Sequence, residues 1–379
     1  MKRHRLEIFK EASREKVEKA LVSRFKAIKS FEPLTDHLIV DRFKDGTYGL
    51  SNAGFALYSN GHNVRGKSSF APFGLFFHDE KCLFSIGYFK REGEPTDKPG
   101  YLIFVSPRGK DVETKVNELV QEVLASDLEV AGVYIRYLKL DQFIHFLNMG
   151  YKPVKEHPWH PEAPEEDENL CHSVVDISKI IDGQGNILNL DVGTKNHKRN
   201  FRLHINRFAN FLIRNRLDYT LINMTEDDAG SALEIIRAHF EMLRKHQKDI
   251  GSTAEDHINS ISKELLSLET VDARIGFLED VPVSLFIYEK LGDSRVGLYT
   301  TFTLRDRELI LPRLGLEQSD LTGFSAMPIY AYSILFRDLL TQSIEVVHMG
   351  GSEHPDLNLI KRHMGGELDP TYWVVKLKE

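Results

Sequence analysis

The sequence predicts an α/β (α+β) protein of two tandem units, each a mixed, mostly antiparallel sheet flanked by helices. Three observations carry that expectation. Short β-type runs broken by Gly, Asn and Asp in the first half give way to strand, helix, strand, helix and strand. The second half brings the same order of elements back, although no sequence repeat accompanies it. Between them lies Glu156 to Asn169, EHPWHPEAPEEDEN, whose prolines and carboxylates mark a linker or exposed loop. The units are therefore expected at residues 1–170 and 171–379.

The chain opens on an amphipathic helix, about Ser13 to Lys29, with Val17, Ala20, Leu21, Phe25 and Ile28 on one face. HLIVDRF, GTYGLSN, FALYSN, APFGLFFHD and KCLFSIGYF then read as hairpin-linked strands. YLIFVSP is a buried strand, and RGKDVETKVNELVQEVLAS a helix with Val112, Val116, Leu119, Val120 and Val123 inward. VAGVYIRYLKL, the helix DQFIHFLNMG and the strand YKPV close the unit. After the linker come one or two strands between His172 and Leu190, then a stretch from Val192 to Leu217 without a single acidic residue. FRLHINRFANFLIRN within it is helical in period, with Phe201, Ile205, Phe208, Leu212 and Phe211 inward, so Arg199, Arg202 and Arg207 fall on or near the exposed face. Two helices, DDAGSALEIIRAHFEMLRKHQK and TAEDHINSISKELLSL, precede the strands DARIGFLED, VPVSLFIYEK and RVGLYTTFTLRD, a helix from about Pro328 to Leu340, and the strand IEVVHMGG.

With 379 residues and 41% hydrophobic content, the chain has material for two real cores. No apolar run reaches the ~18 residues of a spanning helix, and the start MKRHRLEIFKEASREK lacks a signal peptide's apolar stretch, so a cytoplasmic protein is expected. A net charge of −7 argues against a protein that coats nucleic acid, though it leaves room for a local basic patch. Cys82 and Cys171 read as two free thiols, and His157 with His160 lack a third ligand, so no metal site is expected.

The stretch from Ile344 to Trp373 has the layout of a site: a short apolar strand ending in the flexible HMGGSE, a short helix, a Gly-Gly turn and a last β-type run. In that helix Leu357, Ile360 and Met364 point to a core, which puts Lys361 beside the buried stripe at a half-exposed position, its amine toward a cleft. Glu353 and His348 are candidates to take a proton from an attacking amine. Ser352 and Tyr299 are candidates to line the cleft, and the basic helix to meet phosphate.

The element order and the closing HFLNMGYKPV resemble the GCN5-related N-acetyltransferase fold. That family holds the pyrophosphate of acyl-coenzyme A in a glycine loop at a helix N-terminus. The matching place here is Ser106 to Val112, where Arg108, Gly109 and Lys110 suit a phosphate but Asp111 and Val112 stand where the family has glycine. Its Tyr general acid aligns with Phe146, which has no proton to give, so the resemblance implies a first unit that keeps the fold without the chemistry.

The tandem layout, the basic helix and LNLIKRHMGGEL are similar to the aminoacyl-tRNA-dependent transferases, namely the peptidoglycan-bridge (Fem-type) enzymes and the soluble domain of phosphatidylglycerol lysyltransferases. Their late pattern Phe-Lys-x-x-Phe-Gly stands here as Ile360-Lys361-Arg362-His363-Met364-Gly365. The resemblance implies an aminoacyl-tRNA donor, a small-molecule, peptide or lipid acceptor, no required cofactor, and Lys361 as the fixed cation. Two other readings stay open: an acyl-coenzyme A N-acyltransferase using Arg108, Gly109 and Lys110, and a non-catalytic binding module of the same fold.

Overall fold

The computed structural model describes residues 15–30, 51–54, 69–90, 98–154, 171–182, 195–246, 266, 268–304, 307–317, 322–350 and 360–379. The chain divides into two compact units, one of Met1–Cys171 with Pro370–Glu379 and the other of His172–Asp369. HLIVDRF, FALYSN, the proline-rich linker with His157 and His160, and most of GTYGLSN and TAEDHINSISKELLSL lie outside the described residues.

In the first unit, helix α1 includes residues 15–24 and ends before the Lys29 that its periodicity suggested. Ile28 leaves the helix to open strand β1, Ile28–Ser30, and pairs with Phe77. Its inward position on the helical wheel is also an inward position on a strand, and pairing with the sheet decides between them. Then follow β2 (Ser69–His78), β3 (Cys82–Lys90), β4 (Gly100–Gly109), α2 (Val112–Ala125), β5 (Val130–Leu138), α3 (Leu140–Asn148) and β6 (Lys152–Pro153). With β14 (Tyr372–Leu377), the sheet order is β1-β2-β3-β4-β5-β14-β6, and of these neighbours only β4 and β5 run parallel. One face buries Val116, Val120 and Val123 of α2 with Phe146 of α3 and Val17 and Leu21 of α1. The other carries a second cluster rich in aromatic residues, including Phe89, Tyr101, Tyr134 and Trp373.

Strand β14, Tyr372–Leu377, is the last of the chain, yet it pairs with β5 and β6 and so completes the first sheet. Several of its side chains tie it there. Trp373 is buried, with its ring edge-on to Tyr137 and the Arg136 guanidinium 4.9 Å from its centroid. Lys376 donates to the Met149 carbonyl after α3, and Lys378 to the carbonyls of Ser126 and Leu128 after α2. A cation beside the last carbonyls of a helix satisfies acceptors the helix leaves open and opposes its dipole.

The second unit starts with β7 (Cys171–Asp176) and α4 (Lys195–Asn215), followed by β8 (Tyr219–Asn223), α5 (Ala229–His246), β9 (Val271–Leu278), β10 (Val281–Gly292) and β11 (Arg295–Thr303). A single turn, α6 (Arg307–Ile310), precedes α7 (Met327–Thr341), β12 (Val346–His348), the helical residues 360–363 (α8) and β13 (Glu367–Pro370). The sheet order is β13-β7-β12-β11-β10-β9-β8, with β11 and β12 parallel. Phe201 of α4 and Ile329, Leu335, Phe336 and Leu339 of α7 pack with Phe286, Val296 and Val347 on one face. Arg274 of β9 binds Asp338 of α7 at 2.8 Å. Phe240 of α5 lies 6.0 Å from Phe302 of β11, one contact of α5 with the sheet.

Trp373→Ala should destabilise the first unit by about 3–5 kcal/mol, as a large buried aromatic does when truncated. Lys378→Ala should cost only about 1 kcal/mol. Denaturant unfolding followed by circular dichroism checks both, and equal effects would deny β14 its place in that core.

Candidate functional site

Parallel pairing between β11 and β12 is brief. Arg295, Val296 and Gly297 pair with Val346, Val347 and His348; β12 then ends while β11 runs on to Thr303. Where two parallel strands part at their carboxyl ends, a sheet opens the crevice in which ligands are commonly held. A bulge accentuates the opening. Ile287 pairs with Thr300 and Tyr288 with Leu298, which leaves Tyr299 as the extra residue on β11. Its side chain is drawn over Gly297, with the hydroxyl 2.8 Å from the position a Cβ would take.

Lys361 converges on this place from α8. It is 5% exposed, and its Nζ donates to the carbonyls of Met349 at 2.8 Å and Gly350 at 3.3 Å, immediately after β12. This corrects the half-exposed position expected from the helical pattern. Polar acceptors at the strand end, which a helical wheel does not contain, draw the ammonium inward. Gly365 explains the glycine of the pattern: it has φ +82°, and a Cβ there would come within 2.6 Å of Ile180. Met364 is buried in the core beside it.

His348 is 7% exposed, and its ring stands edge-on to that of His172 of β7, with centroids 5.2 Å apart. Burial, aided by the charges of Arg295 and Lys361, pushes its pKa down to about 4. His348 is thus neutral at pH 7 and a weaker base than an ordinary imidazole. Lys361, His348 and Tyr299 are therefore brought together, as a buried cation, a neutral imidazole and a phenol at one strand end. Ser352 and Glu353 lie outside the described residues.

The remaining candidates stand elsewhere. Arg202 and Arg207 are on the exposed side of α4, as its period required, and the side chain of Arg199 is outside the described residues. In the first unit, Arg108 is buried and donates to the carbonyl of Pro107 and, at 3.4 Å, to Gln142. Gly109 has φ +125°, and a Cβ there would sit 2.0 Å from the Lys81 carbonyl oxygen, so its neighbour strand already requires glycine. The Lys110 N–H donates to that same oxygen. Phe146 is fully buried against Tyr151.

Where β4 and β5 cease pairing, at Val105 and Arg136, the first unit is packed rather than open. Arg136 is 1% exposed, and its guanidinium lies 4.0 Å from the Tyr137 ring centroid. His172 and Glu289, both buried on the site's sheet, escaped the sequence reading. A carboxylate closing the mostly apolar run VPVSLFIYE was the available signal for Glu289.

These features define two tandem units, each built on a seven-stranded mixed sheet with helices packed against it. The same fold recurs in solved structures. One is a conserved protein of unknown function from Bacteroides thetaiotaomicron (TM-score 0.59, 12% identity, 92% of this chain and 98% of that one). A second is FemX (0.57, 8%, 92% and 97%). A third is the C-terminal domain of a putative lysylphosphatidylglycerol synthetase from Agrobacterium fabrum (0.53, 10%, 92% and 93%). No family model matches the sequence, and no curated protein matches it either. Among the described residues no helix is long and apolar enough to cross a membrane.

The His348 shift fixes a pH dependence. Its folded pKa lies below the unfolded value near 6.5, so between these values the unfolded chain binds more protons. Stability should fall as pH drops from about 6.5 toward 4, by up to roughly 3 kcal/mol, and the loss should level off below that. His348→Gln should flatten this part of the curve in urea melts at stepped pH; an unchanged slope would mean that His348 is not held neutral.

Proposed function

We propose that the chain is an acyltransferase that moves an aminoacyl group from a charged tRNA to an amine or hydroxyl of a small molecule, peptide or lipid. One observation carries this reading: the Lys361 ammonium is buried and fixed on two carbonyls at the end of a parallel strand pair. The likeness in fold to FemX and to a lysylphosphatidylglycerol synthetase domain supports it.

Attack of the acceptor on the ester carbonyl forms a tetrahedral oxyanion, which collapses with release of the tRNA hydroxyl. A cation already immobilised in a water-poor site stabilises that oxyanion without reorganising, worth on the order of 3 kcal/mol if it acts like one oxyanion-hole donor. Glu353 is the base proposed for the attacking nucleophile. His348, neutral at working pH, serves to orient a water or the nucleophile rather than to hold its proton. Arg199, Arg202 and Arg207 would meet donor phosphates. The acceptor's class is set by pocket walls that include Tyr299.

Lys361→Met should lower kcat roughly a hundredfold or more with KM for the donor little changed, the signature of an interaction made in the transition state. It removes the Lys361 donor from the Met349 carbonyl and leaves the Gly350 carbonyl with the Ser173 N–H, so a stability loss of about 1–3 kcal/mol is also expected. Lys361→Arg keeps charge and donors and should lose less of both. A folded Lys361→Met enzyme turning over at the wild-type rate would end this reading. Donor class is read by calorimetric titration: tight binding of acetyl-coenzyme A would move the assignment to an N-acyltransferase. Arg202→Ala with Arg207→Ala should weaken charged-tRNA binding and flatten its salt dependence, measured by filter binding across a salt series.

A further inference from the structure

The face of the second sheet that carries His348 also carries a buried carboxylate. Glu289, near the end of β10, is 1% exposed. It pairs with Gly297 of β11, and Gly297 pairs in turn with His348 of β12. Residues in register on neighbouring strands share a face, so Glu289 and His348 project to the same side with a glycine between them. Gly297 leaves a notch in that row, and the notch is occupied. The bulge brings the Tyr299 hydroxyl to within 2.8 Å of where the missing Cβ would stand. A larger residue at 297 would expel it.

Packing alone argues for an aliphatic residue at position 289. The preceding residues Val281 to Tyr288 are apolar apart from Ser284, and taking a carboxylate out of water costs several kcal/mol. Around His348 stand Arg295 of β11, Lys361 of α8, His172 of β7 and Tyr299 of β11, with Glu289 across the notch. His239 of α5 lies farther along β11, against Phe302. Two cations thus act on His348, and Glu289 is the acidic group in its own row.

We propose that Glu289 is a positioning residue for His348, acting across the Gly297 notch through the Tyr299 hydroxyl. The hydroxyl donates toward the carboxylate while its oxygen accepts from an imidazole N–H, directly or through one water. This fixes which ring nitrogen carries the proton and turns the other toward the crevice. Its catalytic consequence rests on the acyl-transfer reading; its structural claim does not.

The test uses the full chain labelled with 15N-histidine, with His348 assigned by comparison with His348→Gln. Long-range proton–nitrogen spectra at pH 7 should show wild-type His348 as one dominant neutral tautomer. Glu289→Gln, Tyr299→Phe and Gly297→Ala should each convert it to a mixture, seen as convergence of the two ring-nitrogen shifts. Should Glu289→Gln fail to fold, Tyr299→Phe, which removes one oxygen, decides alone. An unchanged tautomer in folded Tyr299→Phe overturns the proposal. In turnover assays Glu289→Gln should lower kcat with the acceptor KM unchanged, and Glu289→Asp should recover part of it. The spectra need neither donor nor acceptor. Failure of the acyl-transfer reading would therefore leave them standing, while an active enzyme with an unmoved tautomer would remove Glu289 alone.

Discussion

The three-residue parallel pairing of β11 with β12 is the constraint from which the candidate site follows. Were β12 to continue in register, its amides and carbonyls would be spent on neighbouring strands. Because it stops at His348, the carbonyl of Met349 becomes available, and Lys361 takes it and shares that of Gly350. Gly350 also accepts from the Ser173 N–H at 2.9 Å, so the strand end stays anchored on β7 while it leaves β11. The strand end is therefore held by hydrogen bonds to β7.

The two units show what one topology does with the same location. In the first, the parting of β4 and β5 is filled by Arg136, Tyr137 and Trp373, and the nearby Arg108 is spent on Pro107 and Gln142. In the second, the corresponding parting collects ionisable groups that burial makes expensive. Packing explains the first arrangement. The second sets a lysine, an imidazole and a carboxylate where aliphatic side chains would be more stable, so packing alone does not account for it.

Local periodicity made most elements readable. The inward valines of α2, the Phe201, Phe208 and Phe211 side of α4 and the span of α7 all follow from spacing, because helices and strands bury faces at fixed intervals. Lys361, His348 and Tyr299 were found as types in promising places. Their shared location was not readable, since it depends on which residues of distant strands fall opposite one another. The same limit hid Glu289: only register puts it in line with His348. It also hid the steric reason for Gly109, a glycine suited to phosphate in sequence, whose absent side chain makes room for the Lys81 carbonyl. Lys361 went deeper than its helix face implied because its partners are backbone carbonyls 11 and 12 residues away.

The place of β14 bears on how the protein comes into being. A chain emerging from the ribosome offers β1 to β6 long before residues 372–377 exist, so β5 and β6 wait with unpaired edges and the aromatic face lacks Trp373. The second sheet has no such debt to later sequence, for its strands end at Pro370. Vectorial synthesis is thereby inverted: the unit begun first needs residues 372–377 to complete its sheet, and its open edges must stay protected from edge-to-edge association until those residues are made.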